Sequence, residues 1–231
     1  MAALTIGFNL LTLLQHVHKA CQAGADLICA QGGEAGRHTG DIPTSILTPA
    51  CASICLQYTS PLTGNPPLLV TAGGINDGRS VAAALVSGAS GVWVGTRFIT
   101  AAESKYHEHA KQQVIDAGYD SWIKSTVWSG RPLRALRNAY IEDWEVNRQE
   151  EIKTLSAKGV VALEWELDRL HREGKLTEEI EEAAALRPIG IVAGSVNKAG
   201  QTAAEIVKEM VDETVVALNQ ASNFVNPAAK L

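Results

Sequence analysis

A single histidine stands inside a glycine-rich turn near the start of the chain. Residues 25–40 read ADLICAQGGEAGRHTG, so that four glycines fall within nine residues and His38 lies among them. Glycine lets the backbone take positive φ and approach a ligand closely, and histidine is the side chain that exchanges protons near neutral pH. This stretch predicts an active site in which His38 is the catalytic group, although a tight turn with a surface histidine shows the same pattern.

Two further short apolar runs, residues 68–72 and 91–94, end in glycine turns in the same way. Gly73 and Gly74 follow the first run, and Gly95 and Thr96 follow the second. Three successive strand–helix units are typical of a parallel sheet with right-handed crossovers, in which ligands bind at the carboxyl ends of the strands. The freed backbone amides, with helix N-termini behind them, predict a site for a phosphate-bearing ligand.

Helices are predicted between and after these strands from apolar periodicity and capping residues. Residues 10–23 form one amphipathic pattern before the first glycine turn. After that turn, Thr48 would cap a helix with Pro49 at its first position, and Asp77 would cap the helix 79–87. The remaining predicted helices are 104–117, 142–159, 160–174, 177–186 and 202–218.

Two patterns in the second half of the chain are typical of surface or packing roles. Arg131, Arg134 and Arg137 recur at every third residue, which predicts a basic helical face. A face exposed to solvent explains this pattern more simply than a site that clamps a ligand. The helix 202–218 is amphipathic, and its apolar stripe predicts packing on the barrel rather than a membrane role. The stripe comprises Ile206, Val207, Met210, Val211, Thr214 and Leu218.

The composition is that of an ordinary globular protein, and it narrows the range of partners. The 231 residues are 46% hydrophobic and 19% charged, and the net charge is −5, so binding to nucleic acid or to an acidic membrane is not expected. The four cysteines lack metal-ligand spacing with histidines, which predicts no metal site and a reducing, cytoplasmic compartment. The apolar run 10–14 is too short to span a bilayer and is interpreted as an internal helix or a truncated strand.

Four segments of the chain together resemble a known family. They are AQGGEAGRHTGDIPTSIL at 30–47, VTAGGINDGRSVAAAL at 70–85, GVWVGTRF at 91–98 and SGRPLRALRNAYIEDWE at 129–145. In this order the segments resemble the nitronate monooxygenases, formerly called 2-nitropropane dioxygenases. The resemblance extends from about residue 16 to residue 211.

The resemblance implies an FMN-dependent (β/α)8 barrel with a smaller helical domain. This α/β chain would then be a partial FMN-binding TIM barrel, about its last three to four βα units, followed by a helical C-terminal region. Residues 1–118 would belong to the barrel, 119–200 to a helical accessory region, and 201–231 to a closing helix and tail.

The resemblance also implies roles for individual residues. His38 matches the family's catalytic histidine, and Glu34 in the same loop is interpreted as structural. The implied reaction is oxidation of an alkyl nitronate or nitroalkane with dioxygen by bound FMN, which releases a carbonyl compound and nitrite, with His38 as base or as hydrogen-bond donor to the nitro group. The implied cofactor-binding residues are Gln31, Gly32, Gly33 and Gly36 against the flavin, and Gly73, Gly74, Gly95 and Thr96 around its phosphate.

Two features depart from the family pattern. Arg37 stands where the family usually has a glycine, and a positive φ at that position would cost about 1 kcal/mol or more. Three strands are clear, or four if residues 4–8 form one, whereas the barrel has eight. The chain is therefore interpreted as the C-terminal portion of such an enzyme. Two alternatives stay open: a non-catalytic half-barrel remnant, and a related FMN barrel that acts as an NADH:quinone or enoyl reductase.

Overall fold

The computed structural model describes residues 10–11 and 14–225 of the chain, which form an α/β fold. The strands in this part are β1 (Leu10–Leu11), β2 (Leu27–Gln31), β3 (Arg37–His38), β4 (Leu68–Ala72), β5 (Gly91–Trp93), β6 (Trp122–Ser125) and β7 (Leu133–Leu136). The helices are α1 (Leu14–Gln22), α2 (Thr44–Cys55), α3 (Gly78–Val86), α4 (Glu108–Ile115), α5 (Ala139–Asn147), α6 (Gln149–Ala157), α7 (Ala162–Arg172), α8 (Glu178–Ala184) and α9 (Ala203–Ser222). Short 3₁₀ helices span Thr96–Phe98 and Ile191–Ser195.

The central sheet has the strand order β1-β2-β4-β5, and all of its pairs are parallel. In β2, Ile28 to Gln31 are all buried, as expected for a strand that is covered on both faces. Gln31 at the end of β2 pairs with Ala72 at the end of β4, and Ala72 pairs with Trp93 at the end of β5. The three predicted strands are confirmed, and the three glycine turns therefore lie along one edge of the sheet.

The start of the described chain differs from the prediction of one helix over 10–23 and agrees with the alternative of a truncated strand within 10–14. Leu10 and Leu11 pair with Cys29 and Ala30 as the edge strand β1, and α1 begins only at Leu14. The backbone of β1 is satisfied by a neighbouring strand, which helical periodicity within one segment does not reveal. This is the fourth strand. The alternative location for it, residues 4–8, lies outside the described residues.

The prediction of a basic helix around the three arginines is wrong. Residues 122–125 and 133–136 are instead the antiparallel strands β6 and β7, and β7 also pairs with β3. The second sheet, in the order β3-β7-β6, joins the first glycine turn to the region after α4. Arg134 is buried rather than solvated, because its side chain packs under that turn. The region 119–200 thus holds two strands besides its helices, and its boundaries stay a prediction.

Helix α2 begins five residues earlier than predicted, at Thr44 rather than at Pro49. Both carboxylate oxygens of Glu34 accept hydrogen bonds from the Thr44 amide, at 3.1 and 2.9 Å, and one also accepts from Thr44 Oγ1 at 2.8 Å. This caps the helix from ten residues upstream, a distance at which no local capping signature operates. Pro49 consequently lies inside the helix instead of at its first position.

The four cysteines pack in the interior as apolar residues. Cys21, Cys29, Cys51 and Cys55 are free thiols and are all buried. Burial raises the pKa of Cys51 to about 11 and that of Cys55 to about 12, and neighbouring cysteines add to both shifts. Thiols of such high pKa are inert nucleophiles near neutral pH, so these residues stabilise the fold rather than react.

The last helix, α9, packs against α3 through half of its predicted stripe. Ile206, Met210 and Thr214 are buried, whereas Val207 and Val211 are about half exposed, at 51% and 55%. The stripe is wider than the contact because α3 covers only one side of it. In residues 14–225 and the short strand before them, no helix is both long and apolar enough to cross a membrane.

The contact between α9 and α3 leaves no room for a side chain at the first residue of α3. A Cβ at Gly78 would lie 2.3 Å from the Thr214 amide nitrogen and from the Glu213 Cβ, and Glu213 Oε2 accepts a 2.9 Å hydrogen bond from the Gly78 amide. We expect Gly78→Ala to lower the free energy of unfolding by about 1–3 kcal/mol, because α9 must move away. Urea unfolding measures this. Arg79→Ala, at the next and exposed position, is the control, and equal stability of the two variants would contradict the packing.

Candidate functional site

A cavity of about 630 Å³ opens at the edge of the sheet where the glycine turns lie. This volume is in the range of small-molecule and cofactor sites. Apolar and aromatic side chains line much of it, among them Ile75, Trp93, Phe98, Tyr106 and Val192. Since the ends of β2, β4 and β5 all contribute to its wall, the cavity lies where the sequence predicts a ligand.

The structure brings together most of the residues that the sequence analysis selected. The selected residues that line the cavity are Gln31, Gly36, Gly73, Gly74, Gly95 and Thr96. Gly32, Gly33 and His38 are not among its lining residues. A Cβ at Gly32 would lie 2.6 Å from the Thr44 amide nitrogen, so glycine at this position lets the loop approach the start of α2.

Two glycine turns present backbone amides without partners beside the cavity. After β4, Gly73 and Gly74 both have positive φ, 90° and 74°, and the amides of Gly74 and Ile75 make no hydrogen bond to another described residue. After β5, the same holds for the amides of Thr96 and Arg97 in the first turn of the 3₁₀ helix. Such groups of free donors are typical of anion-binding loops.

The helix N-termini behind the turns do not contribute as the sequence analysis predicted. The α3 amides of Gly78 and Ser80 donate to Glu213 and Asp77, at 2.9 and 2.8 Å, and the first amide of α2 donates to Glu34. The prediction that Asp77 caps α3 is confirmed. Because carboxylates occupy these helix ends, an anion in the cavity depends on the loop amides instead.

His38 lies on strand β3 next to the lining residue Arg37, but it does not itself line the cavity. Its Nε2 is 2.8 Å from Ser129 Oγ in the loop between β6 and β7, and its carbonyl accepts from Gln31 Nε2 at 2.5 Å. Burial lowers the pKa of His38 below its ordinary value, and the positive charges of Arg131 and Arg37 lower it further. The imidazole is therefore neutral at pH 7 and able to accept a proton.

Arg134 fixes the backbone of the first glycine turn from below. Its Nη1 donates to the carbonyl oxygens of Gly33 and Ala35, the latter at 2.7 Å, and its guanidinium carbon lies 4.3 Å from the centre of the Trp122 ring. Burial lowers the pKa of Arg134, and the carboxylates of Glu34 and Asp41 oppose that shift. Arg134 thus has a positioning role in the site, which its sequence spacing did not indicate.

An extended segment after α8 forms a wall of the cavity that the sequence analysis missed. Alternate residues of this segment face the cavity: Leu186, Pro188, Gly190 and Val192. The Gly190 amide donates to Thr96 Oγ1 at 2.9 Å, and the Ile191 amide donates to the Glu34 carbonyl at 3.0 Å. The segment therefore ties the turn after β2 to the turn after β5. An apolar run with proline and glycine between charged helices was the available signal.

Arg37 is the residue next to His38 and has an unusual backbone conformation. Its φ is +62°, and among the described residues other than glycine it alone has positive φ. This conformation costs about 1 kcal/mol or more for a residue with a Cβ. The cost that the sequence analysis anticipated at this position is therefore present, and the side chain is exposed and lines the cavity.

Comparison with known proteins gives a consistent family. A family model described as nitronate monooxygenase matches residues 2–217. A Mycobacterium tuberculosis protein named as a monooxygenase is 30% identical over 91% of this chain and 53% of its own length, so the chain spans about half the length of this curated relative.

Solved structures share the fold. FabK from Thermotoga maritima aligns with a TM-score of 0.72 at 23% identity, covering 93% of this chain and 62% of that protein. A nitroalkane oxidase from Streptomyces ansochromogenes aligns with a TM-score of 0.65 at 21% identity, covering 91% and 57%. At these identities the likeness concerns the fold alone.

The charges around His38 predict a measurable coupling. We expect Arg131→Gln to raise the pKa of His38, because it removes the positive charge that lowers this pKa most after burial. The pH titration of the His38 ring signals by NMR measures the shift. Arg137→Gln is the matched control, since Arg137 pairs with Glu142 and does not act on His38. An unchanged pKa in the Arg131 variant would contradict the electrostatic assignment.

Proposed function

The chain belongs to the nitronate monooxygenase family, and we propose that it forms the C-terminal portion of an enzyme that oxidises alkyl nitronates. In this proposal FMN and dioxygen take part, and the products are a carbonyl compound and nitrite. Residues 1–118 are the last βα units of a (β/α)8 barrel, residues 119–200 an accessory region, and residues 201–231 a closing helix and tail. The four-stranded parallel sheet with its glycine turns supports this assignment.

The residues at the cavity fit FMN, and one observation carries the assignment. The backbone amides of Gly74, Ile75, Thr96 and Arg97 have no hydrogen-bond partner within the described residues, and they flank a cavity of cofactor size. A phosphate supplies the acceptor oxygens that such amides lack. The apolar and aromatic part of the wall suits a flat ring system.

The chemistry that FMN supplies when bound is electron acceptance from the nitronate and transfer to dioxygen. This chain's own residues would orient the substrate and manage its proton. His38, whose pKa is lowered by burial and by the charges of Arg131 and Arg37, would be neutral near pH 7 and would take the proton from the carbon of a neutral nitroalkane. Ser129 holds the imidazole through Nε2, and Gln31 holds the His38 carbonyl, so both act as positioning residues.

Purification of the chain tests this function directly. We expect bound or titratable FMN in the absorption spectrum, and nitrite release with oxygen uptake on addition of a nitronate such as that of 2-nitropropane. A colourless chain that gains no flavin on refolding with FMN would instead identify a non-catalytic half-barrel remnant. NADH consumption without nitrite release would identify a reductase of related barrel type.

The phosphate site can be tested at a glycine that has free space around it. Gly95 has φ −108°, and a Cβ there would meet no protein atom within 4 Å, so Gly95→Ala should fold normally. We expect it to weaken FMN binding about tenfold or more, because the methyl group enters the space beside the amides. Quenching of FMN fluorescence measures the affinity.

Gly91→Ala is the matched control for this variant. Gly91 lies at the other end of β5, and a Cβ there also meets nothing within 4 Å. We expect its FMN affinity to equal that of the wild type. FMN affinity unchanged in Gly95→Ala would contradict the assignment of the phosphate to the turn after β5.

A further inference from the structure

The turn after β4 contains a peptide unit whose orientation the local backbone does not determine. The carbonyl of Gly73 and the amide of Gly74 belong to this unit, and both residues have positive φ, 90° and 74°. Glycine accepts either sign of φ, so rotation about the bonds on both sides of the unit is little hindered. The orientation of this peptide therefore depends on contacts with other parts of the chain.

A hydroxyl on another element contacts this peptide. Thr44 Oγ1, at the start of α2, donates to the Gly73 carbonyl oxygen at 2.8 Å. Within the described residues no other group donates to this oxygen. A Cβ at Gly73 would lie 2.9 Å from the Gly32 carbonyl oxygen, so the turn has no room for a side chain of its own that could anchor it. The hydroxyl of Thr44 supplies the anchor instead.

The Thr44 hydroxyl has a second acceptor, and the two contacts coexist. Its oxygen also lies 2.8 Å from Glu34 Oε2, and one hydrogen shared between two acceptors forms a three-centre bond of the kind found at helix termini. The carboxylate has a further donor, since the Thr44 amide lies 3.1 Å from Oε1 and 2.9 Å from Oε2. The Gly73 carbonyl lacks such an alternative, so loss of the hydroxyl affects this peptide more than it affects Glu34.

The planarity of the peptide unit transmits this contact to the cavity. In a trans peptide the C=O and N–H bonds point in opposite directions, and the described residues contain no cis peptide bond. Because Thr44 holds the Gly73 carbonyl toward α2, the Gly74 amide points away from α2. Gly74 lines the cavity, and its amide is one of those without a partner in the described chain. Thr44 thus directs this donor although it does not itself line the cavity.

We propose that Thr44 is a positioning residue for the cofactor phosphate, which it serves by orienting the peptide between Gly73 and Gly74. The proposal rests on the proposed function and deepens it, because it names the group that directs one of the phosphate-binding amides. Thr44 acts through the peptide plane. Its contribution therefore applies to a ligand that carries a phosphate and not to the flavin ring alone.

A comparison of FMN with riboflavin tests the proposal, because riboflavin is the same molecule without the phosphate. Thr44→Val removes the hydroxyl and keeps the shape of the side chain. We expect it to weaken FMN binding by about tenfold, the effect of one hydrogen bond to a charged group, while riboflavin binding stays at the wild-type level. Thr44→Ser keeps the hydroxyl and should restore FMN binding. Quenching of flavin fluorescence measures both affinities.

Thr48→Val is the matched control. Thr48 lies one turn further along α2, its buried hydroxyl contacts Thr71 Oγ1 at 3.1 Å, and neither residue lines the cavity. The control should leave the ratio of the FMN and riboflavin affinities at its wild-type value. FMN affinity unchanged in Thr44→Val, or an equal weakening of both ligands, would overturn the proposal. A Thr44→Ser variant as weak as Thr44→Val would overturn it too.

Backbone NMR of the ligand-free chain separates this proposal from the proposed function. We expect the Gly74 amide to be ordered in the wild type and in Thr44→Ser. In Thr44→Val its order parameter should fall below about 0.6, the range of flexible backbone, or its signal should show exchange broadening. The Ser80 amide, which donates to Asp77 at 2.8 Å, should stay ordered in all three proteins.

The outcome of this measurement does not depend on flavin binding. An ordered Gly74 amide in Thr44→Val would overturn the proposal, even if the chain binds FMN. Loss of order at Gly74 with an ordered Ser80 would support the orienting role of Thr44, even if the chain binds no flavin and the proposed function fails.

Discussion

The candidate site depends on the buried guanidinium of Arg134. It donates to the carbonyls of Gly33 and Ala35 while it stacks on Trp122, and so joins the antiparallel sheet to the turn that follows the central sheet. Without it both carbonyls would lose a buried donor, at a cost of about 1–3 kcal/mol each. The turn that carries His38 is thus held by a residue almost a hundred positions away, and the two sheets act as one support.

The elements that the sequence predicted well are those determined by local signals. β2, β4 and β5 are short apolar runs that end in glycine, and Asp77 caps its own helix. The elements that it predicted wrongly depend on distant partners. The start of α2 is determined by Glu34, and β7 pairs with β3 across the chain. Arginines at every third residue fit a helix when no partner strand is known. Only the strand pairing in the structure shows that this segment is a strand and not a helix.

The same limit applies to the glycines of the first turn. Glycine in such a turn indicates that the backbone closely approaches a ligand or another part of the chain, and the sequence analysis assigned Gly32, Gly33 and Gly36 to the flavin. In the structure a Cβ at Gly36 would lie 2.7 Å from the Ile189 carbonyl carbon, and one at Gly190 would lie 2.8 Å from the Glu34 carbonyl oxygen. These glycines let two loops of the chain cross. Close approach to a ligand and close approach to another loop both require glycine. The glycine content of a turn therefore does not tell which of the two the backbone approaches.

The carboxylates at the helix ends determine what remains for an anionic ligand. Glu213 and Asp77 occupy the start of α3, and Glu34 occupies the start of α2, so the partial positive charge of both helices is already compensated. Attraction of an anion into the cavity then comes from the amides of the turns after β4 and β5, which have no hydrogen-bond partner among the described residues.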